Sequence, residues 1–272
     1  MSKITRITIQ KKNHDRYNIY LDDGNGEYYG FSVSQDLLVQ HMLRKGLELD
    51  VETIEQLKRD DGLHQFYTLS LHFLSYRMRS RHEITEYLQK KGASQDQIKE
   101  IIERLQKEGY IDDRAFSEMF VRSRMSTTGK GPLLIKKELI EKGIDPQLAD
   151  EALQIYDEHT QLKKAFKWAE KKLNSGDKKS IRQKTQSLQH TLLQKGFSGS
   201  VIQRVLEEVA GKVQQENQEW EALVFQGEKV LHRYKRKASG YELKQKVKGA
   251  LYRKGFSVDG IERFIEEYEE EF

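Results

Sequence analysis

The tetrapeptide Lys-Gly-x-[Ser/Asp] occurs four times and constrains the fold more than any other feature of the chain. It reads Lys91-Gly92-Ala93-Ser94, Lys142-Gly143-Ile144-Asp145, Lys195-Gly196-Phe197-Ser198 and Lys254-Gly255-Phe256-Ser257. Each copy is a helix stop followed at once by a helix start. A lysine in the last turn faces the negative end of the helix dipole. Glycine enters the left-handed conformation beyond it without a Cβ clash. Ser or Asp two residues later accepts a backbone N–H as the next N-cap. One such turn is ordinary, but four at intervals of 51, 53 and 59 residues are a repeat.

Aligned on the glycine, the copies share their apolar positions. Four residues before it stand Leu88, Leu139, Leu192 and Leu251, and eight before it Ile84, Ile135, Leu188 and Val247. Six after it stand Ile98, Ala149, Ile202 and Ile261, and ten after it Ile102, Leu153, Leu206 and Ile265. Offsets of four put one apolar stripe on each helix. Capping boxes open the helices before the glycine at Ser80-Arg81-His82-Glu83, Ser180-Ile181-Arg182-Gln183 and Ser239-Gly240-Tyr241-Glu242. Gly131-Pro132 opens the remaining one, with proline at the first helical position, and Asp145-Pro146 repeats that device. A further apolar helix precedes each pair. The expected fold is mainly α: tandem three-helix units stacked as an elongated, curved solenoid. The units are expected at 61–112, 113–160, 161–214 and 215–272, after an N-terminal cap at 1–60.

That cap is expected to be a small β-hairpin with short helices. Ile7 and Ile9, then Tyr17, Ile19 and Leu21, then Tyr29, Phe31 and Val33 alternate with polar residues. Asp22-Asp23-Gly24-Asn25-Gly26 supplies the positive φ angles of a tight turn; it lacks the alternating acids and terminal Glu of a calcium loop. Ser34 caps a short helix, Asp50 starts another through Lys58, and Asp61-Gly62 is expected to break it.

Chemistry-bearing motifs fail on spacing. The chain has no cysteine, so disulfides and thiolate-held metals are excluded. His82-Glu83 begins like a zinc-protease motif, but Glu86 stands where the second His belongs. Thr128-Gly129-Lys130-Gly131 lacks the first glycine and the final Ser/Thr of a phosphate loop and reads as a helix–helix connection. Asp112-Asp113 precedes a helix and reads as an N-cap. No catalytic residue, metal ligand or cofactor is expected. With no leader-like apolar segment and no apolar run of ~18 residues, the expected location is the cytoplasm.

Gly109-Tyr110-Ile111-Asp112-Asp113-Arg114-Ala115-Phe116, followed by Lys130-Gly131-Pro132, Glu138-Leu139 and Lys142-Gly143, resembles the RecX family of regulators of the recombinase RecA. The likeness is close over 64–160 and family-like over 161–272, and the strand segment resembles that of longer Gram-positive members. The resemblance implies a non-enzymatic modulator, built of tandem three-helix units, that lies in the groove of the RecA–DNA filament. It further implies that recombinase and coprotease functions in DNA repair and the SOS response are usually inhibited. A fourth unit and the strand cap depart from the short members and leave the footprint and the sign of regulation open.

Charge offers contact candidates. Residues 163–195 hold ten Lys/Arg against two acids, and 229–254 ten against one, while the stretch from Glu262 to Glu271 is acidic. A basic face suits a polyanion or an acid-lined groove; otherwise it keeps a solvated surface soluble. The candidates are Arg122, Arg124, Lys130, Lys136 and Lys137 in the second unit and Lys178, Lys179, Arg182 and Lys184 in the third. In the fourth they are Lys235, Arg236, Lys237, Lys244, Lys246 and Lys248. Tyr110, Phe116, Phe197 and Phe256 read as core or helix-boundary residues. The expected partners are the RecA filament and DNA, bound directly or through it, by a monomer with no membrane contact. Competing readings are a DNA-binding module acting alone and a scaffold for an acidic protein.

Overall fold

The first strands form because alternating β-branched and aromatic residues can bury one face of a pleated ribbon. The computed structural model describes residues 1–11, 13–173, 178–212 and 216–272. Strands β1 (Ser2–Ile9), β2 (Arg16–Asp22), β3 (Glu27–Ser34) and β4 (Glu48–Leu49) make an antiparallel sheet of order β3-β2-β1-β4. Ile4, Ile19, Leu21, Phe31 and Val33 form its buried face. The β2–β3 turn holds its acids inward: Asp22 Oδ1 accepts from the N–H groups of Gly24 and Gly26.

Two expectations about this region are corrected. Tyr29 does not share the inward face with Phe31 and Val33 but is exposed. Ile19 pairs with Phe31 and Tyr20 with Tyr29, so Gly30 is the extra residue of a bulge that turns Tyr29 outward. Nor does Asp61-Gly62 break the helix. After α1 (Gln35–Gln40), helix α2 runs unbroken over Val51–Ser75. The glycine costs about 1 kcal/mol of helix propensity. The Asp61 carboxylate offsets it by accepting from Arg16 (2.6 and 3.2 Å), the Ser34 N–H (2.9 Å) and Gln65 (2.7 Å). The helix therefore serves two cores. Ile54 and Leu57 pack with the sheet, and Tyr67 packs with α3 (Arg81–Lys90) and α4 (Gln95–Lys107).

Three more helix triplets follow: α5 (Asp113–Thr127), α6 (Pro132–Glu141) and α7 (Pro146–Leu153); α8 (Glu158–Leu173), α9 (Ile181–Gln194) and α10 (Gly199–Lys212); α11 (Glu216–Lys235), α12 (Gly240–Arg253) and α13 (Val258–Glu267). The boundary expected at 214 falls outside the described residues. The chain divides into two compact units, Met1–Phe116 with Lys142–Ile144, and Ser117–Glu141 with Asp145–Phe272.

The leucines four residues before the turn glycine are fully buried, as are the residues eight before it. Past the glycine the residues six after it (Ile98, Ala149, Ile202 and Ile261) are buried as expected, and so is Ile102, but the other positions ten after it differ from the expectation. Leu153, Leu206 and Ile265 are only half-buried, and the core takes Ile101, Ala152, Val205 and Phe264 one position earlier. An Ala or Val there carries too little periodic signal to stand out in the sequence.

Each turn glycine has positive φ, +89°, +75°, +81° and +82° in chain order. At Gly92, Gly196 and Gly255 its N–H and that of the next residue close the paired bonds of a Schellman ending, as in Gly196 N–H to Leu193 O and Phe197 N–H to Leu192 O. Ser80 and Ser94 make complete capping boxes. The box expected at Ser239 does not form: the Gly240 N–H instead donates to Phe272 O (2.8 Å), because the end of the chain returns over this helix start.

Candidate partner-binding surface

The turns also join successive triplets. Ser80 Oγ donates to Lys142 O (2.7 Å) inside the first compact unit. In the second unit, the Gly131 N–H donates to Lys195 O (2.7 Å), the Leu133 N–H to Gly196 O (3.0 Å), and Ser180 Oγ to Lys254 O (2.5 Å). The start of each of the middle helices α3, α6 and α9 thus sits on the Lys-Gly turn of the next triplet. The first helical N–H, otherwise unpaired, is met by a carboxylate from the following triplet: Arg81 N–H by Asp113 Oδ1 and Ile181 N–H by Glu219 Oε2, both 2.8 Å. At the intervening junction the equivalent residue is Pro132, which has no N–H to satisfy.

The same packing fixes the charges. Glu83, held by the Ser80 cap, accepts from Arg77 and Lys142 at 2.8 Å each. Burial alone would raise its pKa, but the hydrogen bonds from Arg77 and Lys142 outweigh it and hold the carboxyl at about 2. Glu138 on α6 accepts from Arg124 (2.6 Å) and from Lys130, so two of the candidate cations are spent within their own triplet. Lys136 pairs with Asp150 at 2.6 Å, and the Lys184 ammonium donates to Leu173 O.

In the last triplet the acidic end of the chain covers most of the basic stretch. Lys235 pairs with Glu271, Lys244 with Glu269 and Lys248 with Glu262, while Lys246 pairs with Glu242 one turn away. The opposite charge blocks seen in the sequence largely neutralise each other locally. These pairs are exposed and individually weak, but they remove net positive potential from that face.

What stays available is a smaller set. Arg122, Arg182, Arg236 and Lys237 are exposed, with no carboxylate partner among the described residues. Lys137 is exposed, with Glu141 only at 4.0 Å. Lys178 lies over the Phe225 ring at 4.8 Å. Lys179 is exposed and engaged within the chain. Arg182 also packs its aliphatic stem against Gly255, which ties it to the junction.

Of the aromatics, Phe116, Phe197 and Phe256 are buried, as expected. Tyr110 is not a core residue: it is 54% exposed beside buried Ile111, while Asp112 Oδ1 caps α5 through the N–H groups of Arg114 and Ala115.

Sequence reasoning passed over Lys164, Lys167 and Lys171, which line one groove with Trp168, and Lys195, which lies on the indole. Lys195 lies 4.6 Å and Lys171 5.7 Å from the indole centroid. Lys164 donates to Met125 O and to Thr128 O (2.8 Å), the open carbonyl end of α5. Burial, and then Lys167, lower its pKa. The signal was present as lysines three and four apart flanking a tryptophan. Among the described residues, no helix is long and apolar enough to cross a membrane.

Comparison with known proteins gives a consistent picture over the whole chain. Family models match in order: the regulatory protein RecX N-terminal domain at residues 2–50, and the first RecX three-helix domain at 67–105. The second matches at 112–153, and the third matches twice, at 159–206 and 216–265. The chain is 48% identical over 269 residues to the regulatory protein RecX of Oceanobacillus iheyensis, covering 98% of each chain. It is 42% identical over 265 residues to that of Halalkalibacterium halodurans, covering 97% of this chain and 99% of the relative. A crystal structure of regulatory protein RecX superposes with a TM-score of 0.65 at 34% identity, covering 76% of this chain and all of the other. The structure of RecX from Lactobacillus salivarius gives 0.54 at 36% identity, over 56% of this chain and 98% of the other.

Proposed function

The chain belongs to the RecX family of regulatory proteins, and from that premise we propose that it binds the RecA–DNA filament and inhibits RecA recombinase and coprotease activity in DNA repair and the SOS response. It does so without chemistry of its own, as a cytoplasmic monomer. The observation that carries the reading is the full-length match to curated regulatory relatives, combined with the ordered set of RecX domains. The fourth triplet is a second copy of the third-domain type. It therefore extends the same kind of surface rather than adding a different activity.

Contact with the filament is made by Arg122, Arg182, Arg236 and Lys237, which have no carboxylate partner among the described residues, together with Lys137, whose pair with Glu141 is long, and Lys178. The paired lysines Lys130, Lys136, Lys244 and Lys248, together with Arg124 and Lys235, mainly tie neighbouring elements together, and Lys246 is answered by Glu242 within α12. Co-sedimentation with preformed RecA filaments, alongside RecA ATP hydrolysis, tests the reading. Wild-type protein should pellet with the filament and lower hydrolysis at substoichiometric ratios. Charge reversal at Arg182, Arg236 and Lys237 together should weaken both. No effect of the wild-type protein across a full titration with active RecA and DNA overturns the proposal.

A further inference from the structure

In the groove between the end of α5 and α8, lysines gather with no carboxylate among the described lining residues. The groove has a volume of about 350 Å³ and is lined by Ser126, Thr128, Gly129, Lys164, Lys167, Trp168 and Lys171. Elsewhere in the same compact unit, lysines at helix junctions find acids: Lys130 with Glu138, Lys136 with Asp150 and Lys248 with Glu262. Here Lys171 and Lys195 rest on the indole of Trp168 instead. The indole is itself fixed by its Nε1–H, which donates to Gly129 O at 3.1 Å. Lys164 is drawn inward by the α5 carbonyls and is the third lysine of the groove wall, beside Lys167 and Lys171, with Lys195 held next to it on the Trp168 ring.

Such an arrangement is held against its own repulsion. Like charges several ångströms apart in a partly desolvated groove destabilise one another, and an anion seated among them relieves that repulsion. The spacing of the lining matches a particular anion. The cations are all lysines, compact point charges that neutralise phosphate oxygens without a fixed bidentate geometry. Lys164, Lys167 and Lys171 follow one another at intervals of three and four residues along one helix. At 1.5 Å per residue they span about 10 Å, the length over which one nucleic-acid strand, at about 3.4 Å per nucleotide, presents roughly three phosphates.

We propose that this groove is a binding site for the phosphodiester backbone of single-stranded nucleic acid, with Lys167, Lys171 and Lys195 as the phosphate-neutralising side chains and Lys164 and Trp168 as the residues that position them. The assignment deepens the filament reading by giving this chain a nucleic-acid contact of its own, and it is tested without RecA, so that its failure leaves that reading standing.

The experiment is fluorescence anisotropy of a labelled oligothymidylate titrated with the full-length protein at several salt concentrations. Lys167→Gln, Lys171→Gln and Lys195→Gln are combined in one variant. Lys164 is left in place because it caps α5. The expected result is a salt slope lower than that of the wild type by about 2, since each neutralised phosphate on a single strand contributes roughly 0.7. Over a fourfold change in salt, that is a differential of about 20-fold in affinity. A control with Lys244→Gln, Lys246→Gln and Lys248→Gln removes the same charge from the last triplet and should leave the slope within about 0.5 of the wild type.

Equal losses in the two triple variants would show a diffuse charge effect and overturn the site, as would an unchanged slope in the first. Competition separates the sources of anion. Unlabelled oligothymidylate should displace the probe, and inorganic phosphate or polyglutamate at equal charge should not. Displacement by polyglutamate as effective as by the oligonucleotide assigns the groove to an acidic protein and overturns the proposal. Trp168 supplies a local readout. In a Trp220→Phe background it is the remaining tryptophan of the two in the chain, and its emission should change on adding oligothymidylate. A silent Trp168 with intact binding places the nucleic acid elsewhere.

Discussion

Replacing Gly196 and Gly92 separately by alanine tells apart the two tasks of the repeated turn. Both glycines lie at positive φ, +81° and +89°, so alanine at either adds about 1–2 kcal/mol of left-handed strain. Around Gly92 nothing lies within 4 Å of an added Cβ, and the cost ends there. At Gly196 the Cβ would stand 2.6 Å from the Leu134 backbone N and 2.8 Å from its Cγ. A backbone atom in the first turn of α6 cannot rotate aside, so α6 must withdraw from the turn. That movement stretches the bonds from Gly131 N–H to Lys195 O and from Leu133 N–H to Gly196 O. Added to the left-handed strain, two hydrogen bonds at about 1 kcal/mol each and overpacking of about 1–2 kcal/mol bring the total to roughly 4–6 kcal/mol. The assay is amide hydrogen exchange at Gly131 and Leu133, supported by urea denaturation. A local loss of about 2 kcal/mol lowers protection at those two amides roughly 30-fold. Gly196→Ala should show this loss, and Gly92→Ala should leave both amides protected. Equal destabilisation by the two variants, with unchanged exchange at Gly131 and Leu133, would refute the docking role and return the glycine to a simple helix cap.

Glu83 gives an acid limb to stability. Its folded pKa of about 2 lies below the ordinary 4.5, so its contribution is full above pH ~5 and is lost as pH falls toward 2, on the order of 2–3 kcal/mol in all. Glu83→Gln should flatten that limb in urea titrations followed against pH. Glu219 has the opposite sign: burial raises its pKa despite the Ile181 N–H and Lys184, so the ionised form opposes folding at neutral pH. Glu219→Gln keeps an acceptor for Ile181 and should raise the melting temperature at pH 7.5, with the difference vanishing well below pH 4. Glu138→Ala leaves Arg124 and Lys130 half-buried without their carboxylate and should cost about 1–3 kcal/mol in denaturant unfolding. In filament co-sedimentation, Lys244→Gln, Lys246→Gln and Lys248→Gln together should change binding less than Arg236→Gln with Lys237→Gln, because the first three already answer acids of their own triplet.

Much of the fold was legible because it is written in local rules. Capping residues, turn glycines and apolar offsets of four are properties of a few consecutive residues, and they located the helix ends around all four turns. What escaped was non-local. The continuity of α2 through Asp61-Gly62 depends on Arg16 and Ser34, far away in the chain. The bulge at Gly30 depends on its pairing partner, where a Cβ would run into Leu21. The site was less legible than the fold for the same reason. A lysine in a sequence carries its charge but not its partner, and Lys244, Lys248 and Lys235 look as free as Arg236 until the acidic end of the chain is seen lying against them.

The junction chemistry shows how far one motif can be read. In the sequence, Pro132 stands where the first and third junctions have Arg81 and Ile181, and it looks like an interchangeable helix start. In the structure the exchange has a reason. Arg81 and Ile181 each offer an N–H that the next triplet must satisfy with Asp113 or Glu219, whereas proline removes both the donor and the need for an acid. A carboxylate buried to satisfy one N–H brings a desolvation cost, visible in the raised pKa of Glu219. The proline junction avoids that cost and relies on two main-chain bonds to the Lys-Gly turn instead. The middle junction should therefore be the least sensitive of the three to pH, since neither of the bonds that close it involves a titrating group.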